Sequence, residues 1–295
     1  MNRRTWIKIS GANTLGLMGF DLINTNLTDA HKQPVLFIGH GSPMNAIEDN
    51  VFSREMKRIG KQLYKPNLIL VISAHWETKG NFLTATKQPE TLHDFAGFPE
   101  ALFNVRYPAQ GHPEFVERVC QKLSQVPVHP DYHWGFDHGA WSVLRNMFPE
   151  AQVPVVQMSL NTQWTARQHF EFAQELKFLR NQGVLIIGSG NMVHNFSTMA
   201  FDVKHPYDFN VPYAHDWATE ANHLFKTWIV NRNSDVLSNY LGQQKSIRLA
   251  VPTPEHYLPL LYIMGLLTVD ETPEFFNDSI VAGSFSMTSF ISKSI

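Results

Sequence analysis

The chain has 295 residues, 43% of them apolar and 17% charged, with a formal net charge of −2. This is a globular composition with material for one sizeable core, and the near-neutral balance argues against a nucleic-acid partner held on a basic face. The single cysteine, Cys120, excludes an internal disulfide and a cysteine-rich zinc site, whereas fourteen histidines leave a metal site of histidine and carboxylate open.

Residues 1–33 read as an N-terminal tail. Met1-Asn2-Arg3-Arg4-Thr5-Trp6-Ile7-Lys8 places paired arginines ahead of an aromatic and an aliphatic residue, which resembles a twin-arginine export signal. Periplasmic export is the expectation, and a basic cytoplasmic tail is the alternative. The apolar stretch 9–22, interrupted by Asn13 and Asp21, is too short to span a bilayer, so no stable membrane association is expected. From Pro34 to residue 295 there is no linker, low-complexity run or short repeat, which indicates one domain.

Residues 35–38 form a short apolar run that stops at Gly39, and His40 follows between two glycines. This is a buried strand delivering a histidine at its carboxyl end, where open α/β sheets bind ligands. A helix is predicted over 52–63 and a second buried strand over 68–74, which delivers His75. Residues 79–112, with Pro89, Pro99 and Pro108, read as a long irregular loop carrying His93 and Asp94; loops of that length inside a domain are usually functional. A helix with an apolar face is predicted over 113–123. Trp134-Gly135-Phe136-Asp137-His138-Gly139 suggests a pocket wall, with Asp137 either at the site or capping a helix over 138–148.

Residues 153–160 read as a strand, 165–180 as an amphipathic helix, and 184–189 as a third buried strand followed by His194. Helices are predicted over 216–230 and 254–267, the latter with His256 in its first turn and Glu255 as a partner of its dipole. Residues 279–287 read as a final edge strand. Strands alternating with helices give an α/β class, a single-domain sandwich with a central mixed, largely parallel sheet flanked by helices.

Three apolar runs that each end in a small residue and then a histidine bring imidazoles to one rim if the strands are neighbours. Imidazole is a ligand for zinc, iron and copper. The residues therefore support a mononuclear centre of hydrolytic zinc or non-haem iron, with an unligated histidine as acid or base. The histidines at 31, 112, 129, 133, 169, 205, 215 and 223 lack this context and read as surface or core residues.

Gly39-His40-Gly41-Ser42-Pro43-Met44-Asn45, Ser73-Ala74-His75-Trp76, the Trp134 to Gly139 segment, Gly190-Asn191-Met192-Val193-His194-Asn195 and Pro252-Thr253-Pro254-Glu255-His256-Tyr257-Leu258-Pro259 together resemble the class III extradiol ring-cleavage dioxygenases of the 4,5-DOPA type. The resemblance implies that residues 34–295 are a catalytic domain that opens a small, DOPA-like catechol with O₂. It implies that His40, His75 and His256 hold one divalent metal, with Fe(II) for activity and Zn(II) also fitting. His256 stands where protocatechuate-cleaving relatives have glutamate. It implies that His194 does acid–base work and reaches the metal when no substrate is bound, and that His138 lies near the substrate. The alternative is a zinc hydrolase or non-redox metalloprotein on the same scaffold.

Overall fold

The computed structural model describes residues 31–123 and 125–295. The expected export signal lies outside them, apart from its last three residues. The strands are β1 (Val35–Gly39), β2 (Leu68–Thr78), β3 (Asn81–Thr84), β4 (Val128–Asp131), β5 (Val155–Asn161), β6 (Val184–Gly190), β7 (Glu271–Phe276), β8 (Ile280–Val281), β9 (Phe285–Ser286) and β10 (Ser289–Ser294). The helices are α1 (Val51–Gln62), α2 (Glu100–Phe103), α3 (Pro113–Lys122), α4 (His138–Met147), α5 (Ala166–Glu175), α6 (Lys177–Arg180), α7 (Asp216–Val230), α8 (Ser234–Ser238), α9 (Lys245–Ala250) and α10 (Leu258–Leu266). Among the described residues no helix is long and apolar enough to cross a membrane.

The principal sheet has eight strands in the order β4-β3-β5-β2-β6-β1-β10-β7. Its centre, β5-β2-β6-β1, is parallel, while β10 runs antiparallel to both β1 and β7. The central strands are buried on both faces, which is why they read as unbroken apolar runs rather than alternating ones. Leu68, Leu70 and Ile72 pack with Phe172, Phe225 and Leu260 on one face, and Ile69 and Val71 pack with Met56, Trp141 and Leu144 on the other. The fold is a single α/β domain with a mixed sheet between two helical layers.

Several elements differ from the sequence reading. The stretch 79–112 is not wholly irregular, since it contains β3 and α2. The helix expected over 165–180 breaks at Leu176 into α5 and α6. The helix expected from residue 254 begins only at Leu258, because the amide of Asn191 takes the His256 carbonyl at 2.8 Å and holds it out of the helical ladder. Residues 279–287 are not an edge strand. The left-handed turn at Ala282 and Gly283, with φ of 48° and 77°, folds them into the separate two-stranded sheet β8-β9.

The last strand of the principal sheet is locked by a buried ion pair. Arg180, 1% exposed, donates to Glu271 Oε2 at 2.8 Å, to the Leu266 carbonyl at 2.9 Å and to the Gln33 carbonyl at 2.9 Å. Burial works against the Glu271 carboxylate, but the bonds from Arg180 and Thr268 outweigh it and hold the group down to about 2. Glu271→Ala should cost about 3–5 kcal/mol in urea unfolding, because it leaves a buried guanidinium without a counter-charge. The folded carboxylate lies below its ordinary value of 4.5, so its contribution is complete above that pH and disappears as the pH falls toward about 2. The parent chain should therefore lose more stability than Glu271→Gln over that interval.

Candidate metal centre

Strand register explains how residues so far apart in the chain meet. Ile38 of β1 pairs with Ser189 of β6, and Ser189 pairs with Ser73 of β2. Two residues beyond that level lie His40, Asn191 and His75. β6 ends at Gly190, so the two histidines lean toward each other across the end of the strand between them. Their Nε2 atoms come to 3.2 Å. Two close approaches make this possible: a Cβ on Gly139 would lie 2.5 Å from Ser73 Oγ and 2.9 Å from the His75 ring, and one on Gly190 would lie 2.2 Å from the His256 carbonyl oxygen.

His138 opens α4, with Asp137 as its N-cap accepting from the amide of Ala140. Asp137 is thus the cap, one of its two sequence readings. It is fully buried, receives Ser73 Oγ at 2.7 Å and the Gln157 amide group, and is pushed up to about 6, chiefly by burial. His194 lies flat on His256, with ring centroids 3.5 Å apart and planes 8° apart, between the edges of Phe196 and Phe285 at 5.0 Å. The His256 ring lies 5.4 Å from that of His40 and 5.0 Å from that of His75.

All five singled-out histidines therefore line one cavity of about 290 Å³. One nitrogen each of His40, His75 and His138 form a group in which all lie within 4.8 Å of one another, and His194 and His256 form a second with Glu255, which is not part of the cavity wall. His138 thus falls in one group with His40 and His75, and His256 in the other, although its ring lies as near to theirs as they lie to each other, at 5.0–5.4 Å. His93 is not in the cavity. Its Nε2 meets the Val105 carbonyl at 3.1 Å, and its ring packs against Phe95, Phe103 and Trp141. Its neighbour Asp94 is the site residue that sequence reasoning missed, because a loop carries no periodicity to show which residue points inward.

The hydrogen bonds fix where the ring protons sit. Ser189 Oγ donates to the Gly139 carbonyl at 2.6 Å, so it can only accept from His40 Nδ1–H at 3.0 Å. His138 Nδ1 donates to Asp94 Oδ2 at 2.9 Å, and His75 Nδ1 faces the same oxygen at 3.5 Å. His256 Nδ1 donates to Glu255 Oε1 at 3.1 Å. With Nδ1–H turned outward to oxygen, the Nε2 lone pairs of His40, His138 and His256 are left free.

Electrostatics points the same way. Burial first, and then the neighbouring imidazoles, hold His40 and His256 well below the ordinary histidine value. Burial also takes His75 down to about 3 and His194 to about 4. At Asp94 burial works upward, but the hydrogen bonds from His138 outweigh it and keep the carboxylate low. These rings resist protons, and the Nε2 atoms of His40 and His75 lie 3.2 Å apart. Two nitrogens about 2.0–2.1 Å from one ion, at angles near the tetrahedral or octahedral values, lie roughly 2.8–3.4 Å apart. The donor set fits a divalent metal. The rest of the wall is apolar and includes Phe95, Phe98, Phe196, Phe209 and Phe285.

Comparison with known proteins gives a consistent result. The family described as the catalytic LigB subunit of aromatic ring-opening dioxygenase matches residues 27–289. A 4,5-DOPA dioxygenase extradiol from Escherichia coli K12 is 41% identical over 272 residues, covering 91% of this chain and 97% of that relative. One from Beta vulgaris is 34% identical over 262 residues, covering 86% and 94%. The crystal structure of an uncharacterized protein from Escherichia coli K12 is 37% identical with a TM-score of 0.72, covering 88% of this chain and 99% of that one.

Ser189→Ala removes the acceptor that sets the tautomer of His40. Zinc or Fe(II) binding, measured by competition with a chelator, should weaken about 10–100-fold.

Proposed function

We propose a reaction for this chain from one established premise: it belongs to the family of catalytic LigB subunits of aromatic ring-opening dioxygenases. The reaction is the extradiol opening of a small, DOPA-like catechol by O₂. His40, His75 and His256 hold one divalent ion, Fe(II) in the active protein, and Zn(II) is an occupant the same imidazoles accept. The observation that carries this reading is the approach of the His40 and His75 Nε2 atoms to 3.2 Å in a cavity lined by five imidazoles and walled by phenylalanines. When bound, the ion supplies Lewis acidity and redox chemistry.

The residues supply the rest. The phenylalanines take an aromatic ring by apolar and edge contacts and exclude water from it. A cavity of about 290 Å³ suits a single-ring ligand. His194, neutral because burial holds it to about 4, takes a proton from a catechol hydroxyl and returns it as the ring opens. His138, its Nδ1 committed to Asp94, has Nε2 left to hydrogen-bond the substrate. The apolar wall favours a planar aromatic ligand over the amide or ester of a zinc hydrolase.

For location, we propose that Arg3-Arg4 direct the folded chain to the periplasm. A reporter fused to residues 1–34 should be exported, and replacing both arginines by lysine should retain it in the cytoplasm.

The Fe(II)-loaded protein should take up oxygen with L-DOPA or a related catechol and form a yellow semialdehyde, whereas the zinc-loaded protein should not. His194→Ala should keep its metal and lose about 10²–10⁴-fold in kcat. The absence of uptake across a catechol panel with metal-replete protein would overturn the reading.

A further inference from the structure

The proposed ligands His40, His75 and His256 are three imidazoles. The commoner iron triad of two histidines and one carboxylate brings a negative charge of its own to the ion. A ligand set of neutral rings lacks that charge, and it needs compensation where burial makes bulk water a poor substitute.

The turn before α10 holds a carboxylate that can compensate. Glu255 Oε1 receives His256 Nδ1 at 3.1 Å and Thr253 Oγ1 at 2.8 Å. The residues that follow Glu255 are anchored, by the Asn191 amide donating to the His256 carbonyl at 2.8 Å and by Tyr257 Oη donating to the Leu237 carbonyl at 2.9 Å. The carboxylate therefore faces the ring in a fixed frame. The sequence reading of Glu255 as a partner of the helix dipole does not describe it, because α10 starts three residues later and has no side-chain cap. The Glu255 side chain keeps about a fifth of its surface exposed, so its carboxylate stays in partial contact with water.

Resting on the reading of this cluster as a metal centre, we propose that Glu255 is a positioning and charge-supplying residue: its carboxylate accepts the Nδ1–H of His256, so that the pair acts as a single anionic ligand where the commoner iron triad has a carboxylate bound directly. The hydrogen bond turns Nε2 of His256 inward and makes it a stronger donor. The arrangement separates two duties that one carboxylate performs elsewhere, since the ring makes the contact and the acid carries the charge.

Glu255→Gln separates charge from hydrogen bonding, because the amide oxygen still accepts from Nδ1–H. Affinity for Fe(II) and Zn(II) is read by chelator competition, together with the reduction potential of the iron-loaded protein. Glu255→Gln should weaken binding by about tenfold or more and raise the potential, and Glu255→Ala should reach the upper part of the roughly 10–100-fold range known for such partners. Thr253→Val, which leaves the carboxylate in place, should bind nearly as the parent does. In a His256→Glu background, where the ligand itself is anionic, Glu255→Gln should have little further effect, which makes the two positions a double-mutant cycle.

Parent-like affinity and potential in Glu255→Gln would overturn the proposal, as would a loss of affinity equally large in the His256→Glu background. If the parent chain cleaves catechol and Glu255→Gln still binds metal as the parent does, only the role of Glu255 falls. If the parent chain binds neither ion, the reading of the site falls with it.

Discussion

The site depends on where its ring hydrogens are held. An imidazole has two nitrogens, and only the one without a hydrogen can face a cation. Here Ser189, Asp94 and Glu255 each present an oxygen to an outward-facing Nδ1. Burial disfavours a second proton on His40 and His256, and the neighbouring imidazoles add to that penalty. What is left is a set of inward lone pairs with little to bind except a metal.

The sheet produces this by register and by small residues. β1 and β6 end level with each other, at Gly39 and Gly190, so His40 and His75 on either side of β6 can approach across its end. Gly139 allows α4 to press against β2 at Ser73 and His75, which brings His138 and its cap Asp137 alongside His75. Gly190 allows the turn carrying His256 to lie directly on the end of β6. Helix, strand and turn contribute one ring each because the backbones can approach without an intervening Cβ.

Much of this was readable from the residues alone, and the failures have physical reasons. The central strands announced themselves because burial on both faces demands continuous apolar runs, so His40, His75 and His194 could be placed from the ends of those runs. The outer strands could not, since Val128–Asp131 and Glu271–Phe276 contain proline and alternate exposed with buried positions. The turn around His256 was read as helix because Pro254 suits a first helical turn, whereas a long-range hydrogen bond from Asn191 decides the geometry. Asp94 was invisible for a similar reason. Nothing local distinguishes it from His93, and only the position of α4 turns one inward and the other toward Trp141.

The outward oxygens come from three distant parts of the chain: the end of β6, the long loop after β3, and the turn before α10. No short fragment contains both a ring and all the groups that orient its neighbours. An extended chain therefore has scattered histidines of ordinary affinity, while the folded one has a preoriented pocket. Cation binding then draws the population toward the native state in proportion to the logarithm of free ion over dissociation constant. The ion would serve the polypeptide as a thermodynamic fastener before it served any reaction, and its withdrawal should be felt first as a softening of the whole molecule.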